Sequence, residues 1–175
     1  MVRRIYVEKK KGYDIEAQEL LSDFKENLHL QGLSAVRVIT RYDIEGIDDN
    51  TYNAAKYSIF AEPAIDMAYD EEVPIDAGAL YFAVKYLPGQ FDQRADSAEQ
   101  CIKLMEASSE PTVRFARLII LMGNISQEEY AEVKRYCINP VDSQEADLQK
   151  PQELERQIAE PESIRTEDNF IEMNN

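Results

Sequence analysis

The side chains that most often carry covalent or acid–base chemistry are sparse in this chain and badly spaced for it. His29 is the only histidine. It lies near the end of a helical pattern, where an exposed residue favourable to the helix dipole needs no catalytic partner. A nucleophile–base pair would have to unite His29 with Cys101 or Cys137 from distant parts of the chain, and neither cysteine sits in a strained-turn sequence. Both read as reduced packing residues. No close-spaced set of three or four Cys and His ligands exists, so no metal is assigned. The stretch Asp43 to Asp49 lacks the alternating oxygens and closing glutamate of a calcium loop. The six glycines, Gly12, Gly32, Gly46, Gly78, Gly89 and Gly123, never fall within ten residues of one another. No Gly-rich loop is therefore present to wrap backbone amides around a nucleotide phosphate, and this chain is assigned no cofactor and no catalytic residue.

One segment is denser in polar groups than a turn requires: Pro88-Gly89-Gln90-Phe91-Asp92-Gln93-Arg94-Ala95-Asp96-Ser97. It reads in two ways. As a helix start, it uses Asp92 or Asp96 as the cap, with both acids near the positive end of the dipole. As a docking or ligand-contact surface of Gln90, Phe91, Asp92, Gln93, Arg94 and Asp96, it uses Phe91 as an anchor and Gln93, Arg94 and Asp96 for directional hydrogen bonds.

The elements that position this segment follow from periodicity. Arg3 to Glu8 alternates as a short strand, and Lys11-Gly12-Tyr13 turns it. Asp14 suits an N-cap, with Ala17, Leu21, Phe24 and Leu28 forming one helix stripe. Val36, Val38, Thr40, Tyr42 and Ile44 alternate with Arg37, Ile39, Arg41, Asp43 and Glu45, which reads as a half-buried strand with one mostly solvated face. Gly46 ends it. A short helix from about Asp49 to Lys56 follows, and Tyr57 to Ala61 reads as a third strand before Pro63. The order then repeats: a strand through Leu80, Phe82, Val84 and Tyr86, a Pro88-Gly89 turn, and a helix striped by Ala95, Ala98, Ile102 and Met105. Val113 to Met122 is apolar enough to be a central strand covered on both faces. Gly123 stops it, Ser126 and Glu129 form a capping box for a last helix, and Pro140 closes the unit.

The letters repeat along with the elements. Val36, Arg37 and Val38 recur as Val113, Arg114 and Phe115 at a constant spacing of 77, and Gly12, Gly46 and Pro63 recur as Gly89, Gly123 and Pro140 at the same spacing. Tyr52 and Lys56 recur as Tyr130 and Lys134 at a spacing of 78. Two copies are too few for a solenoid. The expected fold is α+β: two strand-helix-strand-helix(-strand) units, about residues 1–63 and 78–140, related by a pseudo-two-fold axis with an antiparallel or mixed sheet. Such a domain mimics a dimer and is expected to be a monomer.

Composition bounds the partners. A formal charge of −15 disfavours nucleic acid, and no apolar run reaches the roughly 20 residues that span a bilayer, so no membrane partner is expected. A soluble cytoplasmic protein is the default reading. Residues 141–175 carry ten acids and three bases, with Leu148, Leu154, Ile158, Ile164, Phe170 and Ile171 interspersed. They read as an acidic linker lying along a surface and leading toward a further domain, as in a piece of a longer polypeptide.

Several stretches together resemble the N-terminal domain of phosphoribosylformylglycinamidine synthase in its large single-chain form, also called formylglycinamide ribonucleotide amidotransferase. They are Arg3 to Lys10, Arg41-Tyr42-Asp43-Ile44-Glu45-Gly46, Lys56 to Pro63, Leu87 to Cys101 and Ile138-Asn139-Pro140-Val141. The resemblance covers the chain as far as about Pro140 and continues into the linker. It implies a duplicated form of the small structural subunit of the multi-subunit enzyme. Its partners would be the synthetase and glutaminase domains of the same polypeptide, with ATP and Mg serving the whole ligase. The alternative is a freestanding regulatory domain that binds a small molecule between its halves.

Overall fold

A computed structural model describes residues 1–154. Within them, strands β1 (Arg3–Lys9) and β2 (Leu33–Glu45) flank helix α1 (Ile15–Glu26), and α2 (Asp49–Ala55) leads to β3 (Asp66–Asp70). The chain continues through β4 (Leu80–Tyr86), α3 (Gln93–Met105), β5 (Thr112–Gly123), α4 (Gln127–Cys137) and β6 (Ser143–Ala146). The strands form one sheet in the order β3-β1-β2-β5-β4-β6 with every pairing antiparallel, an α+β fold.

The pairing registers share one offset. Arg3 pairs with Ile44 in β1–β2, and Leu80 pairs with Leu121 in β4–β5, so both partners advance by the spacing seen in the sequence. Tyr6 pairs with Tyr69 and Ala83 with Ala146, which repeats the same advance. In the central β2–β5 pair, Val36 opposes Leu121 and Ile44 opposes Val113, with Thr40 opposite Arg117 midway. Turn bonds recur as well: Lys10 N–H donates to the Ile65 carbonyl at 2.8 Å, and Leu87 N–H to the Asp142 carbonyl at 2.9 Å.

All four helices contribute to two apolar clusters on one face of the sheet, and those clusters mix the halves. Phe24 of α1 packs with Val133 of α4 over Phe82, Val84, Ile119 and Leu121. Tyr52 and Ala55 of α2 pack with Ala95, Ala98 and Ile102 of α3 over Ile5, Val7, Tyr42 and Ile44. The first helix of each half thus shares a core with the second helix of the other. β5 is central and buried on both faces, as its apolar run predicts, with Ile119 and Ile120 fully buried on opposite sides.

The opposite face departs from the sequence reading. The β2 face expected to be solvated is covered: Ile39, Arg41 and Asp43 are all buried. Val73, Ile75 and Ala79 of the β3–β4 connection pack over it, and the chain after β6 crosses it as a strap. Alternation along one strand reports which residues share a face; it does not report what a distant connection lays over that face. The expected strand from Tyr57 to Ala61 is instead a wide π-helical turn, Lys56–Phe60, continuing α2, and Phe60 packs on Tyr42 with ring centroids 5.0 Å apart. The third strand, β3, begins only after Pro63, and its counterpart β6 lies after Pro140, inside the stretch read as linker. Of the apolar residues noted in that stretch, Ile158, Ile164, Phe170 and Ile171 lie outside the described residues.

Both ends of the β2–β5 pair close on glycine. Gly46 has φ +83°, and a Cβ there would lie 2.1 Å from the Glu110 carbonyl oxygen; Gly123 has φ +132°, and its Cβ would lie 2.3 Å from the Gly32 oxygen. Only glycine allows the backbones so close.

Candidate functional site

The dense polar segment begins α3, and the helix-start reading is correct for Asp92. Its carboxylate accepts from Ala95 N–H at 3.0 Å, while Asp96 in the first turn accepts from Gln100 Nε2 at 2.6 Å. At the equivalent position of α1, Asp14 does not cap the first turn. Its Oδ1 accepts from Gly12 N–H behind it at 2.8 Å and from Gln18 Nε2 at 2.9 Å, and these bonds hold its pKa below the usual aspartate value. The capping box of Ser126 and Glu129 forms as expected, with 3.2 Å and 2.7 Å bonds.

The structure splits the candidate residues between two clefts. Gln90, Phe91, Asp92 and Asp96 line an open groove of about 840 Å³ with Arg41, Asp43 and the strap. Phe91 is 71% exposed at its rim. Arg94 turns away from this groove and lines a second cleft of about 380 Å³, with its guanidinium 5.4 Å from the centre of the Phe115 ring. Burial raises the Tyr42 pKa, against the pull of Arg94. Gln93 is exposed and lines neither cleft.

Behind the groove lies a buried charged cluster that sequence reasoning missed. Arg4 Nε and Nη2 donate to Asp43 Oδ1 and Oδ2 at 2.5 and 2.9 Å, and Arg41 Nη2 lies 3.6 Å from Asp43 Oδ2. The side chains of Arg4 and Asp43 are 2% and 5% exposed. Two guanidinium groups against one carboxylate leave donors to satisfy, and the strap supplies backbone oxygens. Arg4 donates to the Leu148 and Gln149 carbonyls at 2.8 and 3.3 Å, and Arg41 to the Asp147 carbonyl at 2.8 Å. Burial opposes the Arg4 charge, but the bonds to Asp43 more than offset it and raise its pKa; for Arg41, burial wins and lowers it. The sequence signal was present: Arg41 and Asp43 share a strand face with the apolar Ile39.

The cysteine reading is half correct. Cys137 packs partly into the α1–α4 cluster, where burial pushes its thiol up to about 11. Cys101 is exposed on α3 and packs nothing, because it lies off the Ala98–Ile102 stripe. His29 is exposed, in a left-handed turn with φ 57° just after α1. Among the described residues no group of three or more His, Cys, Asp or Glu could hold a metal ion, and no helix is long and apolar enough to cross a membrane. Compared with known proteins, the chain matches no family model and no curated protein.

Proposed function

We propose that this chain is the N-terminal structural domain of a large single-chain phosphoribosylformylglycinamidine synthase, the cytoplasmic ligase of purine synthesis that uses ATP and glutamine to make formylglycinamidine ribonucleotide. Two copies of a strand-helix-strand-helix-strand unit, related by a pseudo-two-fold axis, stand in for a dimer of small structural subunits. The domain holds synthetase and glutaminase domains in register; ATP, Mg and the catalytic groups belong to those domains. One observation carries the reading: the β1–β2 and β1–β3 registers reappear in β4–β5 and β4–β6 at one constant offset, and the β2–β5 contacts exchange partners about Thr40 and Arg117. An isologous contact has this property, which two identical subunits would make. Added to a synthetase–glutaminase polypeptide lacking its own N-terminal domain, the chain restores glutamine- and ATP-dependent turnover. Turnover by the chain alone, or no restoration, overturns the reading. Sedimentation gives a monomer, since the pairing edge is already occupied.

A further inference from the structure

The turn between β4 and α3 repeats the turn between β1 and α1 with one residue added. Before the addition the two match at a spacing of 77: Tyr13 N–H donates to the Lys10 carbonyl at 2.9 Å, and Gln90 N–H to the Leu87 carbonyl at 3.1 Å. After it they match at 78: Gln18 N–H donates to the Asp14 carbonyl at 3.1 Å, and Asp96 N–H to the Asp92 carbonyl at 2.9 Å. Phe91 is the residue left without a counterpart. Its ring is 71% exposed, more than any other aromatic among the described residues.

The residues around Phe91 have changed with it. Lys9, Lys10 and Lys11 lead into the first-half turn, and at their positions the second half carries Tyr86, Leu87 and Pro88. Ala64 corresponds to Val141, which is 76% exposed and precedes Asp142, whose carbonyl accepts from Leu87 N–H at 2.9 Å. Tyr86 and Pro88 are exposed beside it. Three lysines have given way to an apolar corner, and the fold does not demand the exchange, because the first half builds the same turn bonds with the lysines in place. Clustered apolar groups left in solvent mark a surface that a partner covers. An aromatic ring set where charge is depleted has the composition of an interface centre.

The corner borders the open groove of about 840 Å³: Tyr86, Pro88 and Phe91 line one side of it, and Pro151 to Leu154 of the strap line another. Leu154, the last described residue, is buried there, and its N–H donates to Glu45 Oε2 at 2.9 Å. Whatever follows in the polypeptide therefore departs from this groove, and a domain attached at that point meets the corner at the raised local concentration that a tether gives. Six carboxylates against four cations line the groove, so the surface that complements it is basic around an apolar pocket. We infer that the corner of Tyr86, Pro88, Phe91 and Val141 is the docking surface for the synthetase domain of the same polypeptide, which receives the Phe91 ring in an apolar pocket rimmed by Lys and Arg. This inference rests on the function proposed above, and it makes the segment that opens α3 a protein contact rather than a ligand site.

The test titrates the chain into a synthetase–glutaminase polypeptide lacking its own N-terminal domain and reads glutamine- and ATP-dependent turnover. Phe91→Ser raises the concentration that gives half-maximal turnover by on the order of 30-fold, as loss of an aromatic hot spot does. Val141→Ser raises it by a smaller factor, and both variants reach the parent's maximum at saturation. Leu104→Ser, at a site 88% exposed near the far end of α3, leaves the curve unchanged. Thermal melts check that each variant is folded. Restoration by the parent with an unshifted Phe91→Ser curve overturns this inference and leaves the proposed function standing; a lowered maximum at an unshifted midpoint overturns docking in favour of a ligand contact. No restoration by the parent overturns the proposed function and this inference with it. A dimer of the chain in sedimentation that Phe91→Ser dissolves assigns the corner to a second copy and overturns the synthetase as its occupant.

Discussion

The first and second halves of this molecule keep the same backbone bonds while their side chains part ways, most sharply beneath the two connections that cross the helix-free face. In the first half that surface holds Arg4 and Arg41 around Asp43, and the two arginines donate to strap carbonyls. Their counterparts in the second half are Tyr81, Leu118 and Ile120, and there Leu118 and Ile120 belong to an apolar cluster with Val73 and Ile75 packed on it. The strap is held mainly by charged side chains and the β3–β4 connection mainly by apolar burial, with one added bond from Arg37 to the Pro74 carbonyl at 2.8 Å. The comparison teaches that ladder registers constrain two like units more tightly than the chemistry of their covers.

The largest effect should come from breaking the charged cover. Asp43→Ala strands two buried guanidinium groups and should cost about 3–5 kcal/mol, read from the denaturant midpoint. Importing the second-half solution, Arg4→Tyr with Arg41→Leu and Asp43→Ile, should cost far less, because apolar packing replaces the whole cluster. That triple variant should still free the strap, so limited proteolysis would cut within residues 147–154 sooner. If the triple is as unstable as Asp43→Ala, the halves do not have interchangeable cores.

Next in size are the two glycines that close the central pair. Gly46→Ala and Gly123→Ala each force a Cβ against backbone in a left-handed conformation, at a cost of about 2 kcal/mol. Unequal losses would show that one end of the β2–β5 pair is the looser.

Smaller again are the caps of α2 and α4, which stand at equivalent positions of the two halves. Ser126→Ala should cost about 1 kcal/mol at any pH. Asp48 caps through a carboxylate, accepting from Thr51 N–H at 2.7 Å, and that bond lowers its pKa. Its contribution is therefore complete above the unfolded aspartate value of about 3.9 and fades as pH falls through the lower folded value. Melts of Asp48→Asn and the parent should converge only in acid. Least disturbing to the fold is thiol labelling at pH 8: Cys101 should react promptly, while Cys137, raised to about 11, should present a thiolate fraction of about 0.001. Equal labelling would mean the α1–α4 cluster opens readily.

Much of the architecture was legible from spacing. The repeat of elements, the central β5, the glycine stops and the Ser126 capping box were all visible, because local periodicity and turn chemistry encode them. What escaped depended on partners far away in sequence. Tyr57 to Phe60 has strand-like composition, yet it winds into a turn because Phe60 reaches the Tyr42 ring. Arg41 and Asp43 looked like solvated alternates because the strap that covers them arrives only after β6, near the far end of the described chain. The polar segment at α3 was found, but its division between two clefts was not, since Arg94 points away from its neighbours only in three dimensions.

Thr40 and Arg117 sit directly across from each other at the midpoint of the central pair. In a pair of identical subunits, whatever occupies that midpoint must confront its own twin, and arginine would meet arginine at a cost. A single chain carrying both strands lifts that prohibition: one side can stay neutral while the other acquires a charge, an asymmetry that no true homodimer can evolve.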